Sequence, residues 1–500
     1  MDESRRKFLR TSVCGLTGAA MIASMDRFNL VNAMMQQTEV ATDYKALVCI
    51  FLNGGSDSNN MVIPFDDYNG GYETVRGTSG LAVPLSALAN TKITPSNTGG
   101  VSYAFHPNLS PEANNAGQLK GFMDIWTGGK LAVLCNVGSL VRPITRANYI
   151  AGIGRPYQLF SHSDQVTQQQ TSVANTVGQS GWGGRIADKT NSLNGAVALP
   201  MNISLAGTNL FATGINSRQL AIGTGSLAGL LALSWNGVAA ANPFTAGSSY
   251  RTLLGFDQSV TLIKASTDTT TQALTADTAL NQPDPVLATT FPNTSLGNQL
   301  KQVAKLIKIK DAVGITMKRQ IFFCQLGGFD THTNETGSDP TNPGGGGTQS
   351  GTQGGLLTVL SQAMRAFYDE MIAQGRSNDV TQFTLSDFGR TLQPSGSGAA
   401  SVGTDHAWGS HGFIVGGSVL GGMFYGSLRP DGTGLPYGYP ALQLGGPDDT
   451  NSNRGQWIPT TAIDQYAATL ANWYGLAVSD RATVFPNLST FAVPNLGFLG

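Results

Sequence analysis

The chain is short of charge. Asp, Glu, Lys and Arg make up 12% of its 500 residues, about half the share usual in soluble domains. The formal net charge is −1, so nothing electrostatic points to a nucleic-acid partner. Cysteine is scarce too. Cys49, Cys135 and Cys324 each sit inside an apolar run. They read as buried strand residues, and no disulfide framework is expected. Beyond the first few dozen residues no run reaches 18 apolar residues, so no membrane span is expected there. The rarest chemistry-bearing residue is histidine, with 5 copies.

Ser, Thr, Asn and 63 glycines fill the place of the missing charge, which predicts long polar loops. The N-terminus reads Ser-Arg-Arg-Lys-Phe-Leu-Arg from Ser4 to Arg10, then a weakly apolar stretch, then Val31-Asn32-Ala33. Paired arginines before Phe-Leu resemble a twin-arginine export signal over residues 1–33. The expectation is a passenger of the twin-arginine translocase, periplasmic or secreted, with the fold contained in residues 40–500.

Five apolar runs read as buried strands: 46–52, 131–137, 321–326, 380–385 and 412–415. The first four end in a Gly or polar turn. Continuous rather than alternating apolarity suits a parallel sheet covered on both faces. Amphipathic helical patterns occupy 300–309, 356–372 and 464–474, and a further helix is expected from Asp164. Strands alternating with helices predict an α/β fold with a doubly wound, mostly parallel sheet. Residues 206–292, rich in Ala, Ser, Thr, Gly and Asn, read as an insertion or cap. Ligands of such sheets bind beyond the carboxyl ends of the strands, where the polar motifs fall.

Four of the histidines lie in those motifs. His332 closes Gly-Gly-Phe-Asp-Thr-His, with Asp330 two residues earlier; in an extended segment both side chains point the same way. His406 and His411 lie in Thr-Asp-His-Ala-Trp-Gly-Ser-His. His162 lies between Ser161 and Ser163, before the expected helix. Imidazoles grouped with carboxylates suit a divalent metal, Zn first, with Mg or Mn as alternatives. Asp57 follows the first strand in Asn-Gly-Gly-Ser-Asp and reads either as a ligand or as a turn aspartate. Asp387 ends the fourth strand, three residues before Arg390. That arginine reads as an oxyanion partner or as the other half of a salt bridge with Asp387. Ser161 or Ser163, at a helix start, offers a nucleophile beside an anion-favouring site, or simply a helix cap. The fifth histidine, His106, precedes Pro107 and reads as structural.

Residues 51–64, 105–137, 160–163, 320–332, 383–391, 403–417 and 457–476 together resemble the bacterial family called domain of unknown function 1501. That family looks like a branch of the alkaline phosphatase and sulfatase superfamily. The resemblance implies a central α/β sheet and a two-metal site supplied by Asp57, Asp330, His332, Asp387, His406 and His411. It also implies a serine or threonine nucleophile; the catalytic candidates read from the residues are Ser161, His162, Ser163 and Arg390. Two departures stand out: Asp-x-His replaces the superfamily's Asp-x-x-x-His, and Asp387-Phe388 replaces an Asp-His. The expected function is an exported metal-dependent hydrolase of small-molecule or polymeric phosphate or sulfate esters. The alternative is a non-catalytic exported binding or envelope-associated protein that keeps the fold.

Overall fold

The computed structural model describes residues 40–113, 117–228, 252–312, 315–336, 352–398 and 401–500. The export signal, the Gly-rich 344–347 stretch and part of the 206–292 segment lie outside these residues.

The main sheet has nine strands: β1 (Lys45–Asn53), β2 (Leu131–Gly138), β3 (Asn202–Ser204), β4 (Leu220–Ala221), β5 (Arg319–Gly327), β6 (Val380–Ser386), β7 (Ser410–Gly416), β8 (Phe424–Tyr425) and β9 (Thr461–Ala462). The order is β8-β2-β7-β6-β1-β5-β3-β4, with β9 also pairing β2. Every pairing is parallel except those of β7, which runs against β6 and β2. The five apolar runs thus form β1, β2, β5, β6 and β7, each strand one to three residues longer than its run.

The longer helices are α1 (His162–Thr171), α2 (Trp182–Thr190), α3 (Thr261–Leu280), α4 (Ser295–Lys308), α5 (Gln353–Ala373) and α6 (Ile463–Tyr474). Successive residues of β1 face opposite ways, as the pleat requires. Ala46, Val48, Ile50 and Leu52 pack with Leu300 and Val303 of α4 and with Leu360, Met364 and Phe367 of α5. Leu47, Cys49 and Phe51 pack on the other side with Trp182 and Ile186 of α2 and Tyr466 and Leu470 of α6. The sheet is therefore doubly wound, and both faces are dry, which explains runs without alternation. Ile372 departs from the expected apolar stripe of α5, being half exposed. Cys49, Cys135 and Cys324 are buried and free. The segment expected as a cap extends the sheet sideways: β4 pairs with β3 at one edge. α3 follows it, with only Ala276 and Leu280 buried.

Register places the polar motifs together. Asn53 lies opposite Gly327 and Leu52 opposite Ser386, so β1, β5 and β6 end level. The segments bearing Asp57, Asp330 and Asp387 leave from neighbouring points of one edge. Because β7 runs the other way, its start is at that same edge, and residues 405–409 arrive there from the opposite chain direction.

Candidate metal centre

Four side chains converge at this edge. His406 Nε2 lies 3.1 Å from His162 Nε2 and 2.9 Å from His332 Nε2. Asp330 Oδ1 lies 3.4, 3.2 and 3.4 Å from the Nε2 atoms of His162, His332 and His406. Their side chains keep 34%, 48%, 44% and 24% exposure in the order His162, Asp330, His332, His406, so solvent reaches the cluster.

The other nitrogen of each ring is held by oxygen. His162 Nδ1 lies 2.8 Å from Asp387 Oδ2, His406 Nδ1 lies 2.8 Å from the Phe160 carbonyl, and His332 Nδ1 lies 3.4 Å from Asp405 Oδ1. A carbonyl only accepts, so His406 carries its proton on Nδ1 and its Nε2 lone pair faces the cluster. The Asp387 carboxylate likewise takes the Nδ1 proton of His162, which in the neutral ring leaves the Nε2 lone pair to the cluster. Two such lone pairs 3.1 Å apart repel. A cation between them turns the repulsion into coordination. Carboxylate- or carbonyl-bound imidazoles are how metal-ligating histidines are oriented. Atoms bound about 2.0–2.1 Å from a tetrahedral ion lie roughly 3.3 Å apart, and the cluster spans that range. The residues therefore fit a metal ion.

Local structure supports this arrangement. Phe160 has φ 69°, a left-handed conformation costly for an aromatic residue. It turns the Phe160 carbonyl onto His406, while its N–H donates to Gln165 of α1. Gly54, at φ +117°, lets the turn after β1 pass beside Asp330, where a Cβ would sit 2.4 Å from the Asp330 nitrogen. Its N–H donates to Asp387 Oδ1 at 3.1 Å, so Asp387 is gripped from both sides. Phe388 stacks against both His162 and His406, with ring centroids 4.7 Å away in each case. Phe388 thus gives both rings a packing surface.

Electrostatics favours a neutral-nitrogen, anionic-oxygen set. Burial would raise the Asp330 carboxyl, but the hydrogen bond and charge of Arg390, with His162 and His332 adding, bring it below its ordinary value. Burial, with Arg390 and the two other imidazoles nearby, lowers His406. Burial raises Asp387, opposed by His162 and the Gly54 N–H.

Several expected residues stand elsewhere. Asp57 is fully buried in a two-pronged ion pair with Arg76, Nη1 to Oδ2 at 2.6 Å and Nη2 to Oδ1 at 3.0 Å. Its charge is already spent, so it is not free to hold an ion. His411 is the second residue of β7. The pleat turns it into the core, where it stacks on Tyr439 at 5.0 Å and its Nδ1 accepts the Asn136 N–H at 3.1 Å. Burial pushes its pKa down to about 3. Asp387 supports His162 rather than facing the cluster with its own oxygens. Arg390 is fully buried, and its nitrogens donate to the carbonyls of Gly55, Thr404, Gly54 and Phe329 and to Asp330. It braces the turns instead of waiting for an oxyanion. Ser161 occupies the position before α1, and its hydroxyl donates to Asp164 at 2.6 Å; that of Ser163 donates to the same carboxylate at 3.3 Å. Neither contacts the cluster. His162, placed with them as a catalytic partner, is instead a fourth member of the cluster. His106 is buried and caps the turn that follows it, accepting the Asn108 N–H. His162, Asp330 and His406 bring three potential ligand atoms within 4.8 Å of one another. His332 adjoins them through Asp330 and His406, and no separate group for a paired ion appears among the described residues.

Arg454 escaped the sequence reading. It donates to Asp405, beside His332. Its only signal is an isolated charge in a polar Asn-Ser-Asn-Arg-Gly loop of a chain poor in charge.

Residues 312–435 match the family model described as "Protein of unknown function (DUF1501)". The match covers 124 of the 500 residues. The matched DUF1501 segment contains Asp330, His332, Asp387, Arg390, Asp405, His406 and His411, but not His162. No curated protein matches. Among solved structures, Ps i-CgsB in complex with k-i-k-neocarrahexaose is similar at 8% identity and TM-score 0.34, over 89% of this chain and 74% of that one. PsFucS1 sulfatase from Pseudoalteromonas sp. follows at 11% and 0.24, over 79% and 66%. A mutant of alkaline phosphatase PafA gives 10% and 0.25, over 71% and 64%. Likenesses this low are silent on reaction and substrate.

Proposed function

We propose that this protein is an exported, metal-dependent hydrolase of phosphate or sulfate esters. The observation that carries the reading is the convergence of three Nε2 atoms and Asp330 Oδ1, each ring fixed from behind by an oxygen. Three imidazoles and one carboxylate favour Zn, with Mn next; Mg prefers an all-oxygen shell. When bound, such an ion would polarise a substrate oxygen and ease ionisation of water. Asp387, Phe160 and Asp405 hold the imidazoles in the metal-accepting tautomer. Phe388 and Arg390 fix the loops that carry them. The ester class rests on the motif resemblance. The hydroxyls of Ser161 and Ser163 are engaged by Asp164, and that of Ser56 by Met61 Sδ at 2.9 Å. This reading therefore assigns attack to water, without a covalent enzyme intermediate. Export rests on Arg5-Arg6 and Phe8-Leu9. No helix among the described residues is long and apolar enough to cross a membrane.

The second reading is a non-catalytic exported binding protein with one structural ion. The commitment of every Arg390 nitrogen to the protein's own oxygens favours it. Metal analysis of full-length protein purified without chelator, then turnover of aryl phosphate, phosphodiester and sulfate esters, separates the two. We expect about one ion per chain, ester turnover, and loss of both in His406→Ala. A full metal complement with no turnover of any ester supports the second reading. A wild type that takes up no metal after remetallation refutes both.

A further inference from the structure

Two arginines stand beside the cluster, and they are not equivalent. Arg390 is sealed and all its nitrogens are engaged. A ligand arriving from solvent meets it only by breaking the turns it braces. Arg454 is 35% exposed. Its Nε donates to Gln393 Oε1 at 3.2 Å and its Nη1 to Asp405 Oδ2. Its Nη2 has no partner among the described residues. The other oxygen of Asp405 faces His332 Nδ1 at 3.4 Å. A single carboxylate thus joins an open guanidinium to the cluster.

The loop carrying Arg454 is held in place. The Asp449 carboxylate accepts the N–H groups of Gly445, Gly455 and Gln456 at 2.9, 3.0 and 2.9 Å. The Arg454 carbonyl accepts the Gln393 N–H at 3.0 Å. The Gln456 side chain donates to the His406 carbonyl at 2.7 Å. The guanidinium therefore stands on backbone bonded on one side to the segment after Arg390 and on the other to His406 itself. An anchored arginine loses little freedom when it binds, and its fork matches two oxygens of a tetrahedral anion.

We propose that Arg454 is the anion-recognising residue of this site. Its free Nη edge would take oxygens of a phosphate or sulfate group drawn to the cluster. Asp405 aims the fork and keeps it from folding away. This rests on the metal-site reading above. It deepens that reading by naming what recognises the anionic half of the substrate.

The test is calorimetric binding of inorganic phosphate and of inorganic sulfate to the Zn-loaded full-length protein, with metal content measured on the same samples. Wild type, Arg454→Ala and Arg454→Lys are compared. Losing a charged, two-pronged contact should weaken both anions about 10- to 100-fold in Arg454→Ala at unchanged metal content. Arg454→Lys should recover only part, because it restores charge without the fork. Anion affinity in metal-loaded Arg454→Ala equal to wild type overturns the inference alone. Loss of metal from Arg454→Ala also overturns it, since the arginine would then act by placing Asp405 and His332. A wild type without metal overturns the underlying site reading and this inference with it.

Discussion

Asp387→Asn tests the cluster through a residue outside it. Asp387 accepts from two N–H groups, those of Gly54 at 3.1 Å and of His162 Nδ1 at 2.8 Å, in a fully buried position. Asparagine offers one acceptor and one donor, so it can satisfy only one of them. If its oxygen stays with Gly54, its NH2 faces His162 Nδ1. The imidazole must then carry its proton on Nε2, and the lone pair aimed at the cluster is gone. If the amide turns over, the Gly54 N–H is left buried and unpaired, at about 1–3 kcal/mol. Loss of such a supporting acceptor costs roughly 10- to 100-fold in metal affinity, or about 1.4–2.7 kcal/mol. The same amount disappears from the stabilisation that bound metal gives the fold. The assay is competition of the protein against a chelating dye, paired with denaturation of apo and loaded forms. Asp57→Asn is the control: it strips the buried Arg76 of its charge partner and should cost about 3–5 kcal/mol of fold stability, with no selective loss of metal. Wild-type metal affinity in Asp387→Asn would refute the argument that the Nδ1 contact directs the His162 lone pair.

Two further outcomes are expected. His411→Ala should keep its metal yet lose about 3 kcal/mol or more of stability, because it empties an aromatic-sized space against Tyr439; chemical denaturation and metal analysis check this, and metal loss would return His411 to the site. Glu335 is buried beside Asp57 and accepts from Thr404 Oγ1 at 2.7 Å. Burial first, then the Asp57 charge, holds its carboxyl well above the ordinary range. The native state thus keeps a proton that the unfolded chain releases. Its contribution to apo stability is whole in acid and declines as pH rises from the ordinary carboxyl range toward the raised native value. Glu335→Gln should flatten that decline, so its advantage over wild type grows from about pH 5, just above ordinary carboxyl titration, to the raised native value of about 8; parallel stability curves would refute it.

The fold was largely legible from local pattern. A strand buried on both faces must be apolar throughout, so runs such as 46–52 and 321–326 announced a covered parallel sheet, and the turns after them announced where polar residues collect. Asp330, His332 and His406 were found this way because they sit in irregular backbone just outside a strand, where side chains are free to turn toward the sheet edge. His411 resembled them in sequence. Its place one residue inside β7 let the pleat decide its direction, and it points into the core. Asp57 and Arg390 were misjudged for a related reason: their partners, Arg76 and the carbonyls of three separate turns, come from distant segments, and no spacing along the chain reports them. His162 looked like part of a serine motif until the fold carried the start of α1 against β6 and the left-handed Phe160 turned its carbonyl onto His406. By itself the sequence determined which segments are buried and which residue types crowd the carboxyl edge, since both follow from periodicity and strand ends. Only the tertiary structure decided which of those residues face one another, because that depends on strand order, on the reversed direction of β7, and on which buried charges find partners before any ligand arrives.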